Sequence, residues 1–590
     1  MTAFLPVTRD EMTERGWYWY DFLLVTGDAY VDHPSFGAAV IGRVLERAGY
    51  RVAALAQPKY GGCGAFSEMG KPRRGVMITG GNVDSMVARY TAANKPRSED
   101  DYSPEQKAGL RPDRAVLVYA KLAREAFPET RIILGGLEAS LRRFAHYDYW
   151  DDAVRGSYLV ESGADVLVYG MGERTVLEVA SGKDLASIRG ICYTAESYDG
   201  GAVRCHSLEE VQSSRRKYAA AFMQQYNEQD AATGKVVIQP HGGVLLIQNP
   251  PAPPLETDEL DSAAALPYTR AAHPRYKNGI KAVEEVRFSI IHNRGCFGGC
   301  NFCSIAFHQG REVTARSHAS VLAEAEKIAA LPDFKGYIHD VGGPTANWRR
   351  RSCSGQRTRG MCRHKSCLAP KPCPKADLDG ADYLSLLRKL RNVKGVKKVF
   401  VRSGLRYDAL MTDKSALLEE LVQHHVSGQL KVAPEHCVPG VLDAMGKPHW
   451  EAFIAFEKRF AELNESCGKQ QFLVPYLISS HPGSTLKDAV KLAETLNAMG
   501  CRPEQVQDFY PTPGTLSTCM YYTGFDPRTM KPIYVPRSPK DKAMQRALLQ
   551  WNRPEKRALV LEALRRAGRM DLVGFGKRCL IRPERRKKHD

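Results

Sequence analysis

The chain contains no long uninterrupted run of apolar residues. None of its 590 residues belongs to a run that approaches the roughly 18 needed to cross a bilayer as a helix. The first fifteen residues include Asp10, Glu11 and Glu14 and have no apolar core, so they do not resemble a secretory signal. No internal repeat is found. These absences predict a cytoplasmic protein without a membrane span.

A cytoplasmic location changes how the fifteen cysteines are interpreted. In a reducing compartment a disulfide framework is not expected, and clustered cysteines more often bind metal or carry chemistry. Three lie between Cys296 and Cys303, and a second group consists of Cys353, Cys362, Cys367 and Cys373. The other eight are scattered and are interpreted as small buried apolar residues.

The length predicts two or three domains, because a single core does not grow to this size. In residues 1–249, short β-branched segments alternate with helical stretches and end in glycine-rich turns; they lie at 22–26, 51–56, 75–79, 131–134 and 165–169. This pattern predicts a parallel α/β sheet, in which ligands bind at the carboxyl ends of the strands. Residues 250–284, which begin with four prolines among five residues, are predicted to be a linker.

Residues 285–525 alternate strands and helices again. Strands are predicted at 286–291, 336–341, 398–403, 430–433, 471–478 and 505–510, and helices at 317–330, 383–391, 414–424, 450–466 and 485–498. Six strand–helix units are fewer than the eight of a closed barrel, so they predict an open (β/α)6 barrel. Residues 526–590 are predicted to form a basic extension with one long helix from 541 to 569.

The strongest chemical signal is the spacing C-x3-C-x2-C of Cys296, Cys300 and Cys303, which follows the first predicted barrel strand. Cysteine thiolates hold the irons of a cubane cluster, and three of them leave the fourth iron open to a small chelating molecule. Gly295, Gly298 and Gly299 would let the loop wrap around such a cluster. The alternatives are a thioredoxin-like Cys300/Cys303 pair, a structural zinc completed by His292 or His308, and buried free thiols.

This loop resembles the signature of the radical S-adenosylmethionine (SAM) superfamily. The surrounding sequence resembles the YgiQ-type radical SAM family, over about residues 20–525. The matching stretches are GDAYVDHP at 27–34, GGNVDSM at 80–86, EASLRR at 138–143, AHYDYW at 145–150, VAPEH at 432–436 and QDFYPTPG at 507–514. The basic tail also resembles that family's C-terminal extension. The resemblance implies a [4Fe–4S] cluster and SAM, and it does not supply a substrate.

The resemblance also suggests which residues bind SAM. The predicted set is Phe302, Gly342, Gly343, Arg402, Ser403, Arg406 and Glu435. The third residue of the glycine-rich turn, where the superfamily usually has an acid, is Pro344 here, so only backbone carbonyls of the turn could receive the methionine amino group. The N-terminal sheet resembles cobalamin-binding-like domains. However, Asp32, His33 and Gly37 miss the D-x-H-x-x-G spacing of histidine ligation, so cobalamin is not expected.

The second cysteine group lies in a predicted insertion, residues 346–378, with nine lysines and arginines and no acid between Trp348 and Ala376. Four cysteines within 21 residues suit zinc or an auxiliary cluster, although their spacings match no standard finger. The alternative is a flexible basic loop with free thiols.

The charge distribution does not identify the binding partner. The chain has a net charge of +18, and residues 525–590 hold 19 lysines and arginines against 7 acids. Such a surface could meet RNA or an acidic electron carrier, such as a flavodoxin or ferredoxin, that would reduce the cluster. The sequence therefore predicts a radical SAM enzyme, with RNA modification as one possible outcome. The alternative class is a nucleic-acid-binding protein with a structural or redox-sensing cluster.

Overall fold

A computed structural model describes residues 4–503 and 506–583. One nine-stranded sheet organises the first half of the chain. In spatial order its strands are Ala202–Arg204, Val236–His241, Val244–Gln248, Ile191–Ala195, Val166–Val168, Ile132–Gly135, Gly75–Thr79, Phe22–Thr26 and Val52–Ala56. The last five run parallel, as the sequence predicts. They are almost entirely buried, which is typical of parallel strands covered by helices on both faces.

The other four strands form a mixed edge that the sequence analysis did not predict. Ile191–Ala195 runs antiparallel to its neighbour Val166–Val168. Val236–His241 and Val244–Gln248 form an antiparallel hairpin. Gly242 and Gly243 join them, and Gly242 adopts a φ of +61°. Two apolar segments separated by a glycine pair are a hairpin signal, so this element was detectable from sequence.

Helices cover both faces of this sheet. Gly37–Arg47 and Glu173–Ala180 pack on one face, whereas Ala115–Ala126 packs on the other. The remaining helices of this half are Arg9–Glu14, Gly64–Ser67, Ser85–Arg89, Gly136–Leu141, Tyr158–Ser162, Leu208–Ser213 and Arg215–Asn227. The two faces therefore carry separate apolar cores.

The predicted linker contains regular structure. It holds the helix Thr257–Ala264 and a short strand, Ala271–Ala272, which pairs antiparallel with Val31–Asp32. A further helix, Lys281–Val286, ends where the first barrel strand was predicted to begin. That strand is therefore shorter than predicted and spans Ser289–Ile291.

Six parallel strand positions follow in the second half. They are Ser289–Ile291, then Tyr337–Ile338 continued by Asp340–Gly342, then Lys398–Val399, Gln429–Glu435, Phe472–Ser479 and Gln507–Asp508. Backbone hydrogen bonds pair the second strand position with the first and with the third. They also pair the fifth position with the fourth and with the sixth. Within the described residues no ladder joins Lys398–Val399 to Gln429–Glu435. The predicted strand 398–403 is shorter because Arg402 and Ser403 bond the Asp340 carboxylate.

The helices of this half are close to their predicted positions. They are His318–Ala329, Ala381–Arg391, Leu417–Glu420, Trp450–Ser466 and Leu486–Ala498, with shorter helices at Ile305–Gln309, Gln356–Arg359, Tyr407–Leu410, Pro439–Met445 and Leu516–Thr523. The helix predicted at 414–424 differs, because it starts at Leu417 and widens into a π-helical turn at Leu421–His425.

The prediction of one long C-terminal helix from 541 to 569 is wrong. Two helices, Pro539–Leu549 and Arg557–Arg566, replace it. Pro554 lies between them and cannot donate the backbone hydrogen bond that a continuous helix needs. Both helices pack on Leu486–Ala498. The start of the predicted strand 505–510, at residue 505, and the basic end at 584–590 lie outside the described residues.

The predicted fold class is confirmed: a parallel-rich α/β sheet precedes a second set of parallel strand–helix units. The two halves share a core, in which Leu134 and Tyr147 pack with Leu442 and Phe509. In the part of the chain that the structure describes, no helix is long and apolar enough to cross a bilayer.

Candidate functional site

The loop of Cys296, Cys300 and Cys303 leaves a short ladder and enters a helix. Asn293–Arg294 pairs with Thr314–Ala315 just before the loop, and Ile305–Gln309 follows it. Gly295 and Gly299 adopt φ values of +81° and +68°, which favour glycine. A Cβ atom at Gly295 would also overlap the Glu312 carbonyl group. These glycines are therefore required by the path of the loop.

Hydrogen-bond donors surround the sulfur atoms. The Gly298 N–H donates to Cys296 Sγ at 3.4 Å, and Thr345 Oγ1 lies 3.3 Å from the same sulfur. The Arg406 guanidinium donates to Cys300 Sγ at 3.5 Å and to the Gly298 carbonyl at 3.3 Å. Donors to sulfur stabilise thiolates and tune the metals that they bind.

Two buried cations accompany the three thiols. Arg406 is held by Asp408 at 2.7 Å, and Lys447 lies 3.6 Å from Glu435. Burial, together with the neighbouring thiols Cys300 and Cys296, raises the pKa of Cys303 to about 12, while Lys447 opposes that rise. Burial also raises the pKa of Cys296, which Arg406 opposes. Three thiolates here need a cation to compensate them, and iron supplies that charge.

These observations fit a [4Fe–4S] cluster. Within the described residues no three metal-binding side chains converge on a single ion position. Cluster ligands do not require such convergence, because each cysteine binds a different iron. The donors to sulfur and the buried cations are thus the features that favour a cluster over free thiols.

The predicted SAM residues divide into two sets. Gly342, Gly343, Arg402 and Ser403 line one large cavity of about 850 Å³. A Cβ atom at Gly343 would overlap Asn293 Oδ1, and one at Gly342 would overlap Ser403 Oγ, so both glycines allow a close approach. The Gly342 carbonyl already accepts a hydrogen bond from the His292 N–H at 2.9 Å.

The other three predicted SAM residues do not line that cavity. Arg406 instead donates hydrogen bonds to the cysteine loop, as described above. Glu435 is buried with a φ of +67° beside Lys447. Phe302 packs edge-on against His481, with ring centroids 6.1 Å apart. Their roles in cofactor binding stay predictions.

The large cavity lies between the two halves of the protein. Its walls include the strand ends of the N-terminal sheet, at Thr79, Gly136 and Met171, and the segment that follows Cys303, at Ser304 and His308. The carboxyl ends of both parallel arrangements therefore face one cavity, where ligand sites of such folds are found. His33, by contrast, is fully buried, and its neighbour Asp32 pairs with Arg43 at 2.7 Å.

Sequence reasoning missed several residues of this site. Asn293 is 1% exposed and lines the cavity, and its Nδ2 donates to the carbonyls of Thr345 and Trp348. Lys447 was also missed, as was Arg311, which lines a small pocket with Cys300 and Cys303. Glu173, which follows a strand of the N-terminal sheet, pairs with Arg294 just before the cysteine loop. Asn293 and Arg311 lie close to the cysteine motif in sequence, but Glu173 and Lys447 are brought there only by the fold.

The second cysteine group lies next to the first. Cys367 packs in the same apolar cluster as Cys296, and Trp348 stacks on Phe297 with ring centroids 3.8 Å apart. The Cys373 N–H donates to the Cys367 carbonyl at 2.8 Å. Burial raises the pKa of Cys367, and the nearby thiols Cys353, Cys362 and Cys373 add to that rise. The four thiols therefore interact electrostatically, although no three of them converge on a single ion position among the described residues.

Four of the nine positive charges of the insertion pair with carboxylates of distant segments. Arg349 pairs with Asp382 at 2.7 Å, Arg363 with Glu228 at 3.3 Å, and both Arg351 and Arg357 with Glu256. These ion pairs hold the insertion against the rest of the chain. Whether the four cysteines bind metal stays a prediction.

Known families match both ends of the chain. A family model described as Radical SAM N-terminal matches residues 4–289, and one described as Domain of unknown function (DUF3362) matches residues 504–590. A UPF0313 protein of Clostridium perfringens (strain ATCC 13124) is 53% identical over 98% of this chain and 89% of its own length. A UPF0313 protein of Clostridium botulinum (strain ATCC 19397) is 51% identical over 98% of this chain and 92% of its own length.

Two solved structures are distantly similar. The radical S-adenosylmethionine methyltransferase TsrM from Kitasatospora setae, with tryptophan and a SAM analogue bound, gives a TM-score of 0.48 at 15% identity, over 85% of this chain and 76% of that chain. The cobalamin-dependent radical enzyme OxsB, with aqua-cobalamin bound, gives 0.44 at 10% identity, over 83% and 53%. Likeness at this level assigns neither a ligand nor a reaction to this chain.

Proposed function

The chain belongs to the UPF0313 family and is a radical SAM enzyme, and from that premise we propose that it cleaves SAM reductively at a [4Fe–4S] cluster. Cys296, Cys300 and Cys303 would hold three irons. When bound, the cluster would supply the electron that breaks a carbon–sulfur bond of SAM, and the resulting 5′-deoxyadenosyl radical would abstract hydrogen from the substrate.

The observation that carries this proposal is the joint environment of the three thiols. They have N–H donors to sulfur, two buried cations and no fourth cysteine in the loop. The same loop leads directly into the wall of the 850 Å³ cavity through Ser304 and Ile305. The three cysteines themselves do not line that cavity, and Cys300 and Cys303 border a small separate pocket with Phe307, so we propose that SAM reaches the open iron past Ser304.

The barrel end of the cavity suits the methionine part of SAM. Gly343 lets Asn293 pack directly against the turn, and Asn293 Oδ1 is buried with no hydrogen-bond partner among the described residues. We infer that this oxygen accepts the methionine amino group, since an unpaired buried acceptor is costly and Pro344 provides no carboxylate. Ser403 and Arg402 border the same end and would orient the carboxylate or the ribose.

Residues of the protein would also keep water away from the radical. The cavity lies between the N-terminal sheet and the barrel strands, so the substrate and SAM would meet in a site enclosed on both sides. An acidic flavodoxin or ferredoxin would suit the basic chain as the electron donor.

The test is anaerobic reconstitution followed by dithionite reduction with and without SAM. We expect electron paramagnetic resonance of the reduced cluster to change on SAM addition and 5′-deoxyadenosine to accumulate. An unchanged spectrum with no 5′-deoxyadenosine would refute the proposal. Salt-dependent RNA binding by the same protein would then favour a nucleic-acid-binding protein with a structural or sensing cluster.

A further inference from the structure

The large cavity extends well beyond the residues predicted to bind SAM. Those residues line only its barrel end, whereas its other end penetrates between the N-terminal sheet and two helices. Leu24, Met77, Ile133 and Val168 project from the sheet, facing the helices Gly37–Arg47 and Glu173–Ala180. At about 850 Å³ the whole cavity is at the upper end of the roughly 300–1,000 Å³ that small-molecule sites span.

We name this inner end the apolar slot. It is lined by Leu24, Met77, Ile133, Val168, Val40, Ile41 and Val176. Protein cores are normally packed without voids, so open space beside core residues marks a place that side chains do not fill. An apolar space of this kind prefers an apolar occupant to water.

Polar groups stand where the slot meets the cysteine loop. Glu173 is 5% exposed and pairs through Oε1 with Arg294, while its Oε2 is buried with no hydrogen-bond partner among the described residues. His308 lines the same part of the cavity, and its Nδ1 also has no partner there. Gly170 lies close to the His308 backbone, because a Cβ atom there would lie 3.2 Å from the His308 carbonyl oxygen.

The unpaired acceptor at this polar end belongs to a carboxylate. Arg294 pairs with the other oxygen of Glu173, and burial, together with the nearby Arg143, lowers the pKa of His308 to about 4, so the imidazole is neutral near pH 7. An anionic head group would place its charge next to the unpaired Glu173 oxygen, and that repulsion is costly in a buried site. An uncharged donor would satisfy the orphan oxygen of Glu173 at no such cost.

We propose that the slot and these polar groups bind the substrate, and that the substrate is a small amphipathic molecule. Its apolar end occupies the slot, and a hydroxyl or amide donates to Glu173 beside His308. This inference rests on the proposed function, because it places the substrate between the slot and the cysteine loop. It assigns Glu173 as a specificity-determining residue.

The test compares two probes that differ only in the head group, naphthylethanol and naphthylacetate. Equilibrium dialysis against the cluster-loaded full chain should show the alcohol binding about tenfold more tightly than the acid. Glu173→Gln should reduce that preference to within about threefold, because it exchanges the acceptor oxygen for a donor. Ile41→Trp, which fills the slot, should weaken both probes by about tenfold.

Matched controls separate this inference from general damage. Glu178→Gln lies on the same helix, where Glu178 pairs with Lys183 at 3.0 Å on the surface, and should leave binding unchanged. Every variant should keep the iron content of the parent. Equal or tighter binding of the acid, no binding of either probe to the parent, or indifference to both Glu173→Gln and Ile41→Trp would overturn the inference.

SAM cleavage is measured separately, without either probe. Cleavage of SAM with no head-group preference would leave the proposed function standing and refute the substrate site. A head-group preference without SAM cleavage would support the substrate site and refute the proposed function.

Discussion

The two cysteine groups of this chain are neighbours in space and differ in what surrounds them. Cys296, Cys300 and Cys303 lie on a glycine-shaped loop, with N–H donors to sulfur and the buried cations Arg406 and Lys447. The second group lies in an insertion tied down by ion pairs to Glu228, Glu256 and Asp382, and its Cys362 is exposed. Both groups place several thiols close together, and the cations beside them differ: Arg406 donates directly to Cys300 Sγ, whereas the buried Arg311 lies near Cys367.

This difference teaches how ligand sets can be told apart. Spacing alone marked both groups as candidates. The environment of the sulfur atoms adds a second criterion, because donors to sulfur tune the metals that thiolates bind, whereas ion pairs hold the insertion in place with or without a metal. Four predictions test the contrast, from the largest expected effect to the smallest.

The largest effect is expected when all three cysteines of the first group are replaced by alanine. The Cys296/Cys300/Cys303→Ala variant should lose essentially all absorbance and paramagnetic signal of a [4Fe–4S] cluster, since thiolates are its ligands. Circular dichroism should remain that of the parent. The control replaces three partly exposed cysteines elsewhere, Cys437, Cys467 and Cys501, and should keep the cluster. A triple variant with full iron at this site would show that the ligands are misassigned.

The second prediction concerns metal at the second group. Metal analysis of the triple alanine variant should find about one equivalent of zinc or iron, and further replacement of Cys362 and Cys367 by serine should remove it. Because ion pairs also hold the insertion, the melting temperature should fall by only a few degrees. Absence of residual metal in anaerobically prepared protein would mean that these cysteines are free thiols.

The third prediction addresses SAM binding at the barrel end of the cavity. Gly343→Ala places a methyl group where Asn293 Oδ1 lies, so the turn must shift and the SAM dissociation constant should rise about tenfold. Gly404→Ala is the matched control, because a Cβ atom there has no neighbour within 4 Å. Isothermal titration of the cluster-loaded proteins measures both. Equal affinities of the two variants would remove Gly343 and Asn293 from the site.

The smallest effect is expected from one buried cation. Lys447→Met should lower the reduction potential of the cluster by tens of millivolts, because a nearby positive charge favours the reduced form. The shift stays small because burial raises the pKa of Glu435, which takes up a proton once Lys447 is removed. A redox titration followed by paramagnetic resonance measures it, with the exposed Lys458→Met as control. A shift to higher potential would contradict the proposed charge compensation.

Much of the fold was predictable because its signals are local. The five parallel strands of the N-terminal sheet and the helix Trp450–Ser466 appear where apolar periodicity indicates them. Errors occurred where tertiary contacts decide. The strand predicted at 398–403 stops early because Asp340 captures its end, and the long C-terminal helix is broken at Pro554 so that both pieces can pack on Leu486–Ala498.

The sequence by itself determined the chemistry that this protein can attempt. The spacing of Cys296, Cys300 and Cys303 within eight residues specifies a three-thiolate loop, because those ligands are neighbours along the chain. Only the tertiary structure decided what faces that loop. Glu173 and Lys447 lie more than a hundred residues from the cysteines, and the packing of two sets of parallel strands brings them there. Local patterns carry no information about such distant pairings, which depend on how the whole chain folds.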